Sequence, residues 1–461
     1  MYTYQDLLKV PDNDQDRMQF VRQCISEHKT SDIYRNAVIA DEYDRHLNTT
    51  IREFQKFLYD MQGRQVPDSW TANYKMASRF FNRFITQENQ YSLGNGITWK
   101  DESTAKKLGE DFDYEVQDIG HKALSGGVAF GFWNLDHLEG FSIMEFKPFY
   151  DEENGALMAG IRFWQIDASK PLRATLYEID GYTDYIWSTR DTGESEGRVL
   201  HDKRAYKLKV RTSEADGTEI YAGENYPSFP IVPLWGNKAK QSELVGLREQ
   251  IDCYDLIKSG YANNVEDGSQ ILWTLNNAGG MDEVDLAQFV ERMKTVHAAT
   301  VDSGATAEPH TMEAPYQSRE ALLNKLRSDL YEDAMALDVE KIASGSVVTA
   351  QIKAAYDPLN SKADNYEWCV TKFIKGILAL AGIDDTPTYS RSIIVNSQEE
   401  IQLVLQAAPH LDEEYITRKI LTLLGDGDLA DDVISRRKSD ELDRAYMPIE
   451  EEETPEEVPE E

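Results

Sequence analysis

The run Asp12-Asn13-Asp14-Gln15-Asp16 offers side-chain oxygens at the alternating positions from which a calcium loop draws its first ligands. Arg17 follows where such a loop needs a glycine for its sharp turn, so the cluster reads instead as a helix cap. Asp426-Gly427-Asp428 with Asp431-Asp432 has oxygens enough for a divalent ion. Gly425 as a helix stop, and aspartates opening the next helix, account for the same letters more simply. Ser125-Gly126-Gly127-Val128-Ala129-Phe130-Gly131 lacks GxGxxG spacing and enters a strand, which is a tight turn rather than a phosphate cradle. There is no GxxxxGK[ST], no HExxH and no CxxC, and the 8 histidines are scattered without metal spacing. Cys24, Cys253 and Cys369 stand far apart, and the expectation is small buried hydrophobes in a reducing compartment.

Lys and Arg total 48 against 82 Asp and Glu, a net charge of −34. A protein that grips nucleic acid by neutralising phosphates should be basic, so conventional DNA binding is disfavoured. Ordinary solubility and a surface past which DNA slides without sticking both remain open. No apolar run approaches the roughly 18–20 residues that cross a bilayer. Met1-Tyr2-Thr3-Tyr4-Gln5-Asp6 has neither the basic nor the apolar part of an export signal, so the product is expected to stay in the cytoplasm.

The elements that must position these residues follow an α+β pattern. Periodicity predicts helices over 18–25, 32–60 and about 72–87. From Gly126 to about Leu234, short β-branched and aromatic runs separated by turns such as Glu153-Asn154-Gly155 predict an antiparallel β subdomain. Leu244, Leu247, Ile251, Tyr254, Ile257, Tyr261 and Val265 then mark an amphipathic helix of about seven turns. Its polar face, with Glu243, Glu249 and Asp255, is expected to face a channel or solvent. A β-α-β insert follows, with strands at 271–275 and 295–301 around a helix at 283–294. Another long helix starts near Ser318, with Leu322, Leu326, Leu330, Ala334 and Leu337 on one face. Ser344-Gly345-Ser346 breaks the chain before a third long helix, 347–381, which Pro358 should kink. A strand at 391–396, helices at 412–424 and 428–444, and a tail of eight glutamates over 450–461 complete the pattern.

Three blocks resemble the portal proteins of long-tailed phages of Gram-positive bacteria. The first runs from Asn73 to Trp99 and ends in Tyr91-Ser-Leu-Gly94-Asn-Gly96-Ile97, similar to that family's YxxGxxI turn. The second is Phe229-Pro-Ile-Val-Pro-Leu-Trp-Gly-Asn237, Ser242-Glu-Leu244, Ile251-Asp252-Cys253-Tyr254-Asp255, Ser259, Asn263 and Glu266-Asp267. The third is Ala343-Ser344-Gly345-Ser346-Val347-Val348 with Lys353, Leu359, Lys362-Ala363 and Glu367; Ser346 and Thr349 depart from the usual SGxA-Leu-Lys form.

The resemblance implies a mostly helical phage-portal fold of the α+β class with crown, wing, stem and clip, built into a ring of usually about twelve copies. Residues 1–240 would be the wing, β-rich from about 97; 241–269 and 317–337 the two stem helices; 270–316 a small α/β clip. Residues 338–346 would be the tunnel loop, 347–409 the kinked wing helix and a strand, 410–447 the crown, and 448–461 a disordered acidic tail. It assigns Ile251, Asp252, Tyr254, Asp255, Leu326 and Leu330 to the stem, and Trp273, Asn276, Asn277 and Val301 to the clip. Asp338, Glu340, Lys341, Ser344, Gly345, Ser346 and Lys353 would belong to the tunnel loop and DNA channel. Lys341 and Lys353 could form rings touching phosphates, or pair with neighbours such as Glu340.

The implied partners are other copies of the chain, a large terminase, major capsid and scaffolding proteins, and a head-completion adaptor. Double-stranded DNA would pass through without sequence-specific contact. No membrane, cofactor or metal is implied, and no enzymatic activity: ATP hydrolysis would belong to the terminase. The product would sit at a capsid vertex of the virion, and in the host cytoplasm during assembly. A minor capsid or head-assembly structural protein, and an intracellular enzyme with an unrecognised site, are the alternatives; a purified ring near twelve times 52.6 kDa separates them from a portal.

Overall fold

The structure is a computed structural model of the whole chain, and it describes residues 2–59, 63–68, 71–188, 197–212, 219–268, 272–276, 288, 291, 306–310, 316–340, 349–391 and 397–445. Two compact units are present, Met1–Leu337 with Pro358–Ser392, and Asp338–Asp357 with Ile393–Glu461.

The larger unit opens with helices α1 (Tyr4–Leu8), α2 (Asp14–Thr30), α3 (Asp32–Asp44) and α4 (Thr49–Glu53). The Asn13 side chain accepts from Asp16 N at 2.9 Å, so the first acidic cluster is a cap. The helix expected over 32–60 is broken at His46, which adopts a left-handed φ of 62°. Strand β1 (Phe57–Tyr59) pairs antiparallel with β2 (Gln65–Pro67), which the helical periodicity had not suggested. Helix α5 (Phe80–Leu93) begins eight residues later than the predicted 72, for a reason given below. Strand β3 (Ile97–Thr98) and helices α6 (Glu102–Leu108) and α7 (Phe112–Gly126) lead into the β region.

Helix α7 ends at the glycine-rich run. Gly127 has a φ of +87°, and a Cβ there would lie 2.9 Å from the backbone of Gln241 and Ser242. Both conditions demand glycine, which makes this run a turn. Strands β4 (Val128–Asn134), β5 (His137–Ser142), β6 (Phe146–Tyr150), β7 (Leu157–Trp164), β8 (Leu172–Glu178), β9 (Gly181–Trp187), β10 (Arg198–Arg204), β11 (Lys207–Thr212), β12 (Glu219–Glu224) and β13 (Ile231–Trp235) follow. They form a five-stranded antiparallel meander β10-β9-β8-β7-β6, a three-stranded sheet β13-β4-β5, and the hairpin β11-β12. The antiparallel β subdomain is thus as the alternation predicted. Helix α2 buries Met18, Val21, Cys24 and Ile25 in a core with Phe149, Ile161, Leu176 and Trp187 of the meander.

Helix α8 (Arg248–Gly268), β14 (Leu272–Asn276), β15 (Thr306–His310) and α9 (Tyr316–Asp333) come next. The two helices pack on each other and the two strands pair antiparallel, Leu272 opposite His310. Among the described residues the order is helix, strand, strand, helix, with both like pairs in contact; of the helix predicted at 283–294, Gln288 and Glu291 are helical and the rest lies outside the described residues. The strand facing 272–276 is 306–310; the predicted 295–301 lies outside the described residues. Helix α8 starts at Arg248, not 242, after a turn in which Gly246 has a φ of +90°. Helix α9 stops at Asp333, before Met335 at a φ of 52°.

Helix α10 (Thr349–Ala381) continues through Pro358. Its Phe373, Ile374 and Ile377 join the main core with α5, α7 and the β13-β4-β5 sheet. A Cβ at Gly131 would meet Phe373 at 2.5 Å, and one at Gly376 would meet Val232 at 2.8 Å, so helix and sheet approach through glycines. Strand β16 (Thr388–Tyr389) pairs with β3. Of the strand expected at 391–396, Arg391 is irregular and the rest lies outside the described residues.

The smaller unit holds α11 (Ser397–Ala407), which was not foreseen, α12 (Glu413–Leu424) and α13 (Ala430–Ala445). Asp412 caps α12 and Gly425, at a φ of +92°, ends it, so this aspartate-rich run is helix punctuation. The acidic tail from 446 lies outside the described residues.

Candidate functional site

The polar residues of the second sequence block stand on one face of α8, at Asp252, Asp255, Ser259 and Asn263. Asp255 is completely buried, and Ser259 and Asn263 nearly so. Each accepts a backbone hydrogen bond from the segment that precedes α5. Tyr74 N donates to Asn263 Oδ1 at 2.6 Å, Met76 N to Ser259 Oγ at 2.9 Å, and Ser78 N to Asp255 Oδ1 at 2.9 Å. Four residues of helix rise about 6 Å, and two residues of extended chain span about 6.7 Å. The two periods match closely enough for every second N–H to find a partner. Those bonds hold 74–78 extended, and so delay α5 to Phe80. Asn48 Nδ2 donates to Asp255 Oδ2 at 2.6 Å, leaving both carboxylate oxygens bound. Burial raises the Asp255 carboxyl above its ordinary range, against these hydrogen bonds. Thr50 donates to Asp252 at 2.7 Å, and the Tyr43 hydroxyl bonds to the same carboxylate.

A second cluster joins the other two blocks. The Lys362 ammonium on α10 lies 2.9 Å from Glu88 Oε2 on α5 and 2.8 Å from Glu243 Oε2. It also donates to the Ala334 carbonyl, just past α9, at 3.2 Å. Burial pushes the Glu88 carboxyl up to about 7, with Lys362 opposing and Glu243 adding to the rise. Burial alone would lower Lys362; the two carboxylates outweigh it and leave the lysine raised. One residue earlier on α5, the Gln87 amide pairs with Leu337 at both ends, donating to its carbonyl at 3.2 Å and accepting from its N–H at 2.9 Å. Arg83 donates to the Tyr331 hydroxyl at 2.7 Å. The turn after α9 is thereby fastened by Gln87 of α5 and Lys362 of α10, while Arg83 of α5 holds the last turns of α9 itself. Arg391 grips Glu367 with Nε at 2.7 Å and Nη2 at 2.8 Å, a bidentate pair that raises the guanidinium further.

The structure separates the candidate residues. Ile251 and Leu330 are core, Tyr254 is half-buried edge-on to Phe80 at 5.0 Å, and Leu326 is half-buried. The polar face of α8 is not the free surface expected: Asp255 clamps the 74–78 segment and Glu243 is tied to Lys362, while Glu249 is exposed. Cys24 and Cys369 are buried as expected, but Cys253 is exposed. Asp338 is buried and accepts from Glu340 N at 3.2 Å; Glu340 and Lys353 are exposed. Trp273 and Asn276 lie in β14. Lys341, Ser344, Gly345, Ser346, Asn277 and Val301 lie outside the described residues. Gln87, Glu88, Asn48 and Ser78 carried no sequence signal. The polar trio 255, 259, 263 at helical spacing inside an apolar helix was the trace that could have shown the clamp. The letters GxSxG do occur, at Gly193-Glu194-Ser195-Glu196-Gly197. They fall in the chain between β9 and β10, and all but Gly197 lie outside the described residues. Among the described residues no group of three His, Cys, Asp or Glu could hold a metal, and no helix is long and apolar enough to cross a membrane.

The two packed helices α8 and α9, the strand pair between them in the chain and the mixed core at their base are the frame in which these clusters sit. The chain belongs to the family described as phage portal protein, SPP1 Gp6-like, whose model matches residues 25–423. It is 21% identical over 398 residues to the portal protein of Bacillus phage SPP1, covering 77% of this chain and 74% of that one. It is 29% identical over 209 residues to the portal protein of Clostridium phage phiCD119, covering 43% of this chain and 46%, about half, of that one. Among solved structures, a chain from the virion of a native gene transfer agent particle aligns with a TM-score of 0.44 and 9% identity, over 76% of this chain and 90% of that one.

Proposed function

We propose that this phage portal protein assembles as a ring at one capsid vertex and forms the channel through which double-stranded DNA is packaged and ejected. The observation that carries this is the α8-β14-β15-α9 hairpin with its fastened base. In this reading α8 and α9 are the stem and the 270–316 segment is the clip, where terminase and then head-completion proteins dock. Residues 338–346 form the tunnel loop, α10 is the long wing helix, and the helices after 410 are the crown. Major capsid and scaffolding proteins meet the assembled ring.

The chemistry supports passage rather than grip. Each copy carries −34, so ring walls built of it give a polyanion no deep electrostatic well, and DNA stays hydrated and mobile. The clamps at Gln87 and Lys362 fix the backbone up to Leu337, so motion beyond that point starts from a fixed origin. The test is particle mass and end-on electron-microscopic views of the purified full-length chain. A ring near twelve times 52.6 kDa, with a hole wide enough for duplex DNA, is expected. A monomeric particle overturns the proposal.

A further inference from the structure

Away from the hairpin, the larger unit carries a basic and aromatic face unlike the rest of this acidic chain. Trp235 ends β13, and Trp368, 56% exposed, stands on α10. The close approach of Gly376 to Val232 brings that strand and helix together. Lys240 lies over the Trp235 ring at 4.8 Å, and Lys238 and Lys372 lie over Trp368 at 5.5 and 5.8 Å. Among the described residues none of these three lysines has a carboxylate within ion-pair range, whereas Lys122, Lys203, Lys362 and Arg391 all do. In a chain with 82 acidic side chains, three neighbouring lysines paired only with rings are a local reversal of sign.

The face is also built. Lys240 is held at a left-handed φ of 58°, a conformation that costs a non-glycine residue energy. Asn237 fixes that turn, donating to the Gln241 carbonyl at 2.8 Å and to Glu243 at 2.7 Å. Beside it opens a cleft of about 360 Å³ walled by Tyr150, Leu157, Pro233 and Trp235, with Lys240 and Lys372 among its lining residues. The Tyr150 hydroxyl, in that wall, has no hydrogen-bond partner among the described residues. In the turn that follows Tyr150, Glu152 accepts from Thr3 at 2.6 Å and Asp151 from Gln5.

We propose that this face binds an acidic polypeptide segment, which seats an apolar side chain in the cleft and lays its carboxylates along Lys238, Lys240 and Lys372. Exposed tryptophan beside cations is the residue pattern of binding hot spots, and the cleft falls at the small end of ligand cavities, roughly 300–1,000 Å³. A nucleic-acid strand fits less well. Three lysines on a chain of −34 cannot neutralise the phosphates of several nucleotides, whereas a short acidic segment needs only local pairing. The proposal does not depend on the channel.

Fluorescence anisotropy of the full-length protein tests it, with a labelled peptide of glutamates flanking a Leu-Phe pair as probe and labelled oligothymidine as competitor class. The peptide should bind, weaken with added salt, and lose at least about tenfold in affinity in Trp368→Ala and in Lys240→Glu with Lys372→Glu. Lys240→Arg with Lys372→Arg, and the distant Lys170→Glu, should keep it. Circular dichroism and particle mass matching the parent confirm that each variant is folded. Absence of peptide binding, equal binding by all variants, or binding of oligothymidine as tight as that of the peptide would overturn the proposal.

Discussion

The base of the α8-α9 hairpin and the helices α11 to α13 are both helical, yet they are held in opposite ways. At the base, Asp255, Ser259, Asn263 and Glu88 are buried, Lys362 is half-buried, and all are bonded to named partners beside a continuous apolar core. In the smaller unit, Leu403, Leu405, Tyr415, Leu424 and Leu429 are all more than half exposed, and α12 buries no residue at all. Ala430 and Ile434 are its buried apolar contribution from α13, and its ion pairs, such as Arg418 with Asp431 at 2.6 Å, are exposed. Surface pairs of that kind contribute roughly 0–1 kcal/mol each. The base therefore has the means to keep its geometry in an isolated chain. Among the described residues, α11 to α13 bury few apolar side chains, so little burial there offsets the entropy of ordering them.

The largest effect expected from breaking this contrast is at Lys362. Lys362→Met leaves Glu88 and Glu243 buried without their cation, which costs about 3–5 kcal/mol by urea unfolding. Asp255→Ala strips Ser78 N and Asn48 of their acceptor and should cost about 2–3 kcal/mol in the same measurement. A pH series sharpens the point. Glu88 has a raised pKa in the folded state, so the folded chain holds its proton more tightly than the unfolded chain does. That stabilisation is present at low pH and is lost as pH rises from 4.5 towards 7. Glu88→Gln should flatten the fall of Tm across that window; an unchanged slope would show that Glu88 does not carry it. Gln87→Leu unpairs both backbone groups of Leu337, and amide exchange there should speed by roughly tenfold, the equivalent of one hydrogen bond. The smallest effect belongs to the smaller unit: Asp412→Ala removes a cap from α12, costing about 1 kcal/mol of helix stability, read as a small loss of helical circular dichroism.

Much of the layout could be read from residue patterns because it depends on local rules. Short β-branched and aromatic runs separated by turns marked the antiparallel strands, Asn13 and Asp412 marked helix starts, and Gly425 marked a stop. What stayed hidden depends on distant partners. Residues 72–79 have helical letters, and acceptors on α8, about 180 residues later, hold them extended. The breaks at His46 and Met335 are ordinary residues placed in left-handed backbone by their surroundings, which no propensity reports. Glu88 and Lys362 lie 274 positions apart in the chain, and no spacing rule joins them. Of the α8 residues expected to face outward, Asp255 and Glu243 instead bond inward, to the 74–78 backbone and to Lys362, and Glu249 is exposed.

The three rungs between α8 and the 74–78 backbone also act as a gear. Turning the helix by one residue swings every acceptor by about 100°, so the rungs cannot be released singly by rotation or surrendered one at a time by sliding. The helix can lean about this contact, but it cannot creep along it. Force carried along α8 therefore meets all three rungs together.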